Sequence, residues 1–127
     1  MEIFLKFVGT APLAEFVEYD ADREPLLDFL YREIGCESVE SVVFRGAKVP
    51  DWMLGIVDEE GLYKPQHAQN AMGTLLYGGL LVGPLLIGSR GFRGGEPDFV
   101  GFGDREEAMR AYNYIWRAVM GEEAPKC

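Results

Sequence analysis

Apolar and polar residues follow two different periods along this chain, and the changes between them predict its elements. Alternation over residues 2–8 and 15–19 predicts two strands that pair as a hairpin. The period then changes to i, i+3, i+4, with Pro25 suited to a first helical turn and Gly35 to a left-handed C-terminal position. This segment is predicted to be an amphipathic helix.

The middle of the chain repeats this change of period. Residues 38–44 and 52–58 are rich in β-branched and aromatic side chains, which favour strands. Pro65 opens a second helical pattern that ends at the Gly-Gly pair beginning with Gly78. A second strand pair followed by a second helix is therefore predicted.

The last third contains the clearest helix. Residues 80–89 hold too much glycine and proline for a regular central strand, so they predict two short extended pieces. A Gly-rich loop over residues 90–97 and a short strand follow. Asp104 as N-cap, with Glu107 completing a capping-box-like pair, predicts a closing helix that runs to about residue 120.

The order β, β, α, β, β, α, β, β, α predicts an α+β fold, with a mixed or mainly antiparallel curved sheet and about three helices packed mostly on one face. A chain of 127 residues that is 48% hydrophobic can bury one core. We therefore expect a single domain over residues 1–127, with a flexible C-terminal tail at about 121–127. No apolar run reaches the roughly 18 residues of a membrane span, and the N-terminus lacks the basic region of a signal peptide. These features predict a cytoplasmic protein without a membrane partner.

The net charge and the number of cysteines disfavour several classes of protein. The net charge is −9, and residues 1–60 carry 14 acids against 5 bases. Direct nucleic-acid binding is disfavoured, because it needs a basic patch. Cys36 and Cys127 are too few for a disulfide scaffold or a cysteine-based zinc site. We expect two free thiols and no cofactor.

The only histidine, His67, follows an acidic run of Asp58, Glu59 and Glu60 in the stretch DEEGLYKPQHAQNA. A metal site needs about three converging ligands, and no second histidine or suitable cysteine lies near. We interpret the stretch as a solvated acidic turn followed by a helix with a half-exposed histidine, and predict no metal. A small hydrolase using His67 with Asp58 or Glu60 stays open, although no nucleophile motif accompanies them.

The Gly-rich segment GSRGFRGGEPD is the best ligand-binding candidate. Glycines expose backbone N–H groups, and Arg90 and Arg93 with Phe92 between them could hold a phosphate and stack a ring. We predict a ligand site at Arg90, Phe92, Arg93 and Gly94. The alternative is a surface hairpin loop that arginine makes soluble.

A dense acidic segment is a second candidate surface. It contains Glu15, Glu18, Asp20, Asp22 and Glu24. Such a surface can attract a basic partner protein or imitate the phosphates of nucleic acid. It can equally be a solubilising edge that discourages strand pairing.

The stretch IVDEEGLYKPQHAQNAM and the run LYGGLLVGPLLIG resemble an uncharacterised family, a domain of unknown function, of short proteins from phages, plasmids and their bacterial hosts. The resemblance covers Ile56 to Gly88 and depends on the E-E-G turn, Asn70 and Gly83-Pro84. It implies no agreed catalytic residue, substrate or cofactor. It implies a context, since small accessory proteins of mobile elements often act by binding and several classes counter host defence.

These observations predict a non-enzymatic binding protein of a phage or mobile element, in the cytoplasm of a bacterial host. It would act in counter-defence by sequestering a small phosphorylated or nucleotide ligand. Three alternatives stay open: an acidic inhibitor of a host defence protein, a small hydrolase using His67, and a homo-oligomer that forms through an exposed strand edge.

Overall fold

The computed structural model describes residues 1–121, which form six strands and three α-helices. The strands are β1 (Glu2–Phe7), β2 (Glu15–Tyr19), β3 (Val39–Val42), β4 (Met53–Asp58), β5 (Leu85–Arg93) and β6 (Glu96–Val100). The helices are α1 (Leu26–Ile34), α2 (Ala71–Tyr77) and α3 (Arg105–Met120), and a 3₁₀ turn spans Gly61–Tyr63. None of the helices in this part of the chain is long and apolar enough to cross a membrane.

One curved antiparallel sheet contains all six strands, in the order β2-β1-β5-β4-β3, with β6 paired to β5. The first half of β5 lies between β1 and β4, and its second half pairs with β6. An isolated bridge between Ile3 and Phe102 joins the end of β6 to the start of β1. The predicted α+β class with a mainly antiparallel sheet is confirmed.

Helices cover both faces of the sheet. Successive strand residues point to opposite faces, so each strand contributes side chains to both. Leu5 and Phe7 of β1 belong to the hydrophobic cluster that includes α2 and α3. Phe4, between them, belongs to a second cluster with Phe29 and Leu30 of α1. Two helices therefore share one face and the third covers the other.

The elements with local sequence signals form as predicted. β1 and β2 pair as an antiparallel hairpin. α1 begins after Pro25 and ends at Gly35, whose φ of 76° is left-handed. Asp104 caps α3 by accepting a hydrogen bond from the N–H of Glu107. These predictions are confirmed.

The predicted start of the second helix at Pro65 is wrong. α2 begins at Ala71, after the N-cap Asn70. Gln69 forms an isolated bridge with Val82, which keeps the preceding backbone extended. The chain from Pro65 to Gln69 therefore forms a turn followed by a single β-bridge. His67 lies in this segment and not on a helix.

The predicted Gly-rich loop is also shorter than expected. β5 continues through Arg93, and only Gly94 and Gly95 form the turn to β6. Their φ angles of 59° and 84° suit glycine, and they allow a two-residue hairpin. Of the predicted tail, only Gly121 belongs to the described residues, so the prediction for residues 122–127, which include Cys127, lies outside them.

Candidate functional site

Arg93, predicted to bind a ligand, is engaged by the protein itself. Its Nη1 and Nη2 atoms donate to the two carboxylate oxygens of Glu2 at 2.6 and 2.9 Å. Its Nε donates to Asp98 Oδ2 at 3.0 Å, and Nη2 also donates to the carbonyl oxygen of Phe99 at 3.1 Å. This guanidinium therefore ties the start of β1 to β6.

The ionisation of Glu2 reflects the same contact. Burial raises the pKa of Glu2, but the hydrogen bonds and charge of Arg93, with the N–H of Gly101, outweigh burial and lower it. The carboxylate is thus held in its charged form beside the arginine.

Arg93→Ala is expected to destabilise the fold by about 2 kcal/mol, because it leaves a half-buried Glu2 carboxylate without its bidentate partner. Urea unfolding at pH 7 measures this loss. Arg90→Ala is the matched control, since Arg90 forms no ion pair within residues 1–121. Equal stability of the two variants would contradict the structural role of Arg93.

Arg90 lies in a cleft that the sequence did not predict. The cleft has a volume of about 380 Å³, and it lies between the β3–β4 connection and β5. Its charged groups are Arg45, Asp51 and Arg90; its apolar wall includes Phe44 and Met53. We call it the arginine cleft.

The two guanidinium groups of the arginine cleft keep most of their donors available. Arg90 Nε donates to the backbone oxygen of Asp51 at 3.0 Å, and its Nη atoms make no hydrogen bond within residues 1–121. Arg45 makes no side-chain hydrogen bond or ion pair with any described residue. The cleft can therefore offer several charged N–H groups to an anion, and among the described residues that line it only Asp51 carries a carboxylate.

The β3–β4 connection that carries Arg45 is fixed against α2. The N–H of Gly46 donates to the carbonyl oxygen of Leu76 at 2.8 Å. A Cβ at Gly46 would overlap the carbonyl oxygen of Leu75 and the backbone of Gly78. Glycine at position 46 thus allows a close backbone approach that positions the neighbouring Arg45.

The other two residues of the predicted ligand site lie apart from the arginine cleft. Phe92 is exposed near the tip of the β5–β6 hairpin, and Gly94 forms its turn. Neither lines the cleft. Of the four predicted ligand residues, only Arg90 is part of it.

The five acidic residues predicted to bind a partner do not form one uniform surface. Glu15 and Glu18 are exposed on the edge strand β2, but their odd spacing directs them to opposite faces. Asp20 pairs with Arg23, and Glu24 pairs with Arg32. Asp22 is exposed in the following turn, where its N–H donates to Asp20 Oδ1.

His67 belongs to a buried polar cluster centred on Asp58. Asp58 Oδ2 lies 2.7 Å from Lys64 Nζ and 2.9 Å from His67 Nε2, and Oδ1 accepts the N–H of Glu60 at 2.9 Å. The Asp58 side chain is only 1% exposed. We call these three side chains, Asp58, Lys64 and His67, the Asp58 cluster.

The charges of the Asp58 cluster stabilise one another. Burial raises the pKa of Asp58, yet hydrogen bonds from Lys64, His67 and the N–H of Glu60 together lower it. The hydrogen bond to Asp58 raises the pKa of Lys64. The structure thus corrects the picture of a solvated turn with a half-exposed histidine: the His67 side chain is 10% exposed and its ring lies against Gly83.

A groove of about 540 Å³ borders this cluster and includes Cys36 and Ser38. Burial raises the pKa of the Cys36 thiol, which disfavours the nucleophilic thiolate. Ser38 donates its hydroxyl hydrogen bond to Glu59 rather than to His67. Within residues 1–121, no group of three or more histidine, cysteine or acidic residues could hold a metal ion.

Comparison of the chain with protein-family models, with curated proteins and with solved structures gives no match.

Proposed function

We propose that the protein is a non-enzymatic binding protein that holds a small phosphorylated ligand in the arginine cleft. The observation that carries this proposal is that Arg45 and Arg90 line one cleft with guanidinium donors not used by described residues. Guanidinium groups suit phosphate because their planar N–H pairs match its oxygen atoms. The volume of about 380 Å³ also lies within the roughly 300–1,000 Å³ usual for small-molecule sites.

Sequestration is favoured over catalysis by what lines the arginine cleft. Among residues 1–121, its lining contains neither a histidine, a cysteine nor a hydroxyl side chain, and Asp51 is the only carboxylate there. Lys64 and His67, which could take part in acid–base chemistry, both bond to Asp58 and do not line this cleft. A ligand on the two arginines would therefore meet charge and apolar surface but no nucleophile.

The biological setting is part of the proposal. The resemblance over Ile56 to Gly88 supports an accessory protein of a phage or related mobile element, which acts in the bacterial host. In that setting, holding a phosphorylated signal molecule would remove it from a host defence system.

Arg45→Ala with Arg90→Ala is expected to weaken binding of a phosphorylated ligand by about 100-fold or more, because each charge-assisted hydrogen bond contributes about 1.5–3 kcal/mol. Isothermal titration calorimetry with inorganic phosphate, sugar phosphates and nucleotides measures the affinities. Arg23→Ala is the control, since Arg23 is exposed and its one ion pair within the described part of the chain is with Asp20. The same comparison at low and high salt should show weaker binding as salt rises.

Asp51→Asn tests the same site through an expected increase in affinity. It removes the one carboxylate of the arginine cleft while it keeps the backbone oxygen that accepts from Arg90. Binding of the phosphorylated ligand should strengthen. If the double arginine variant binds every ligand of the panel as the parent does, the proposed site is rejected.

A further inference from the structure

A second cleft, lined by aromatic rings, lies beside the arginine cleft. Its volume is about 220 Å³, and Trp52, Phe102 and Tyr114 line it. The Trp52 ring is nearly perpendicular to both others, at 6.4 Å from Tyr114 and 6.1 Å from Phe102. Trp52 is 38% and Tyr114 53% exposed, whereas Phe102 is buried beneath them. We call it the aromatic cleft.

The two clefts are neighbours at the start of β4 and the middle of β5. Asp51 and Met53 line the arginine cleft, and Trp52, the residue between them, lines the aromatic cleft. On β5, Arg90 lines the first and the preceding Ser89 lines the second. The N–H of Arg90 donates to the carbonyl oxygen of Trp52 at 2.7 Å, so a residue that lines one cleft is in direct contact with a residue that lines the other.

We propose that the ligand is a nucleotide, with its phosphate on Arg45 and Arg90 and its base against Trp52 and Tyr114. This inference rests on the proposed function, because it assigns the phosphate to the same arginines. Exposed tryptophan and tyrosine faces stack nucleobases, and every base has a π-face that can use them. A ligand without a ring would leave both side chains in water.

Polar groups at the rim of the aromatic cleft suit the edge of a base. Arg110 and Glu107 line the cleft, and they offer a donor and an acceptor. Arg110 pairs with Glu106 at 3.2 Å in an exposed contact, which a ligand can displace at small cost. A second groove shares Arg110 and Tyr114 with the aromatic cleft, so this surface continues along α3.

The test compares ligands that differ only in the base. The four nucleoside monophosphates, ribose 5-phosphate and adenosine are titrated by calorimetry. The nucleoside monophosphate with the highest affinity should bind at least about tenfold more tightly than ribose 5-phosphate, because stacking of one base contributes a factor of this size to the affinity. Tyr114→Ala should remove that advantage and leave the affinity for ribose 5-phosphate unchanged. Tyr114→Leu retains bulk, and circular dichroism checks that both variants fold.

Tyr63→Ala is the control for loss of an exposed tyrosine, since Tyr63 is 85% exposed and lies outside the aromatic cleft. If nucleoside monophosphates and ribose 5-phosphate bind equally, and Tyr114→Ala changes neither, the nucleotide assignment is overturned while the phosphate site stands. If adenosine binds as tightly as its monophosphate, the phosphate site itself is overturned. If none of the phosphorylated compounds binds, both proposals fail.

Discussion

Replacing Asn70 with alanine is expected to destabilise the fold by about 4 kcal/mol, through the loss of three hydrogen bonds to buried backbone groups. The side chain is fully buried. Its Oδ1 accepts the N–H of Gly73 at 2.8 Å, and its Nδ2 donates to the carbonyl oxygens of Phe7 and Gly83, each at 2.9 Å. Each group left without a partner costs about 1–3 kcal/mol, and partial relaxation keeps the sum near the lower end.

Asp104→Ala is the matched control for the loss at Asn70. Asp104 and Asn70 both cap a helix by accepting an N–H at 2.8 Å, but Asp104 is exposed. Removing an exposed N-cap costs about 1 kcal/mol, so urea unfolding at pH 7 should show a several-fold larger loss for Asn70→Ala. Equal losses would mean that Asn70 acts only as a helix cap and does not join β1 to the segment before β5.

The elements that the sequence predicts well are those whose signals are local. The alternation in β1 and β2, the glycine after α1 and the Asp104–Glu107 pair of α3 all lie within a few residues of the structure they specify. Such signals act before any tertiary contact forms. The first hairpin and the first and last helices could therefore be placed from the sequence alone, whereas the last strand pair, β5 and β6, could not.

The predicted start of α2 at Pro65 is wrong because contacts with distant parts of the chain determine where this helix begins. Pro65 and the alanines that follow suit a helix, but Asn70 bonds to Phe7, 63 residues away, and Gln69 pairs with Val82. These contacts require an extended chain before Ala71. Asn70 and Gly83, two of the residues on which the family resemblance depends, bond directly to each other. These two residues of the motif therefore have a structural role, because they hold the start of α2 against the segment before β5.

The candidate site could be predicted only in part, for the same reason. Arg90 and Arg93 look equivalent in the sequence, yet Arg93 is paired with Glu2, 91 residues earlier, and Arg90 forms no ion pair within the described residues. Arg45 joins Arg90 because the β3–β4 connection folds against α2. No local pattern distinguishes a paired arginine from one available for a ligand.

Replacing Asp58 with asparagine is expected to destabilise the fold by about 3 kcal/mol at neutral pH, because it removes the buried charge that Lys64 and His67 contact. Asparagine retains an oxygen for the N–H of Glu60, so the loss measures charge rather than shape. Urea unfolding of both proteins at pH 7 gives the difference in the free energy of unfolding. Glu24→Gln is the control, since Glu24 pairs with Arg32 in an exposed contact, whose effect should be smaller and should fall with added salt.

The pH dependence of this difference provides the sharper test. The pKa of Asp58 is lower in the folded protein than the ordinary value of 3.8, so its contribution to stability is complete above pH 3.8. As the pH falls below 3.8 and through the folded pKa, the carboxylate gains its proton and the contribution is lost. The pKa of Lys64 is raised above 10.5, so the contribution of its charge is complete below pH 10.5 and is lost as the pH rises through the folded value. The parent should therefore be more stable than Asp58→Asn at pH 7 and converge on it in acid. A difference that stays constant down to pH 2 would show that the Asp58 charge does not stabilise this cluster.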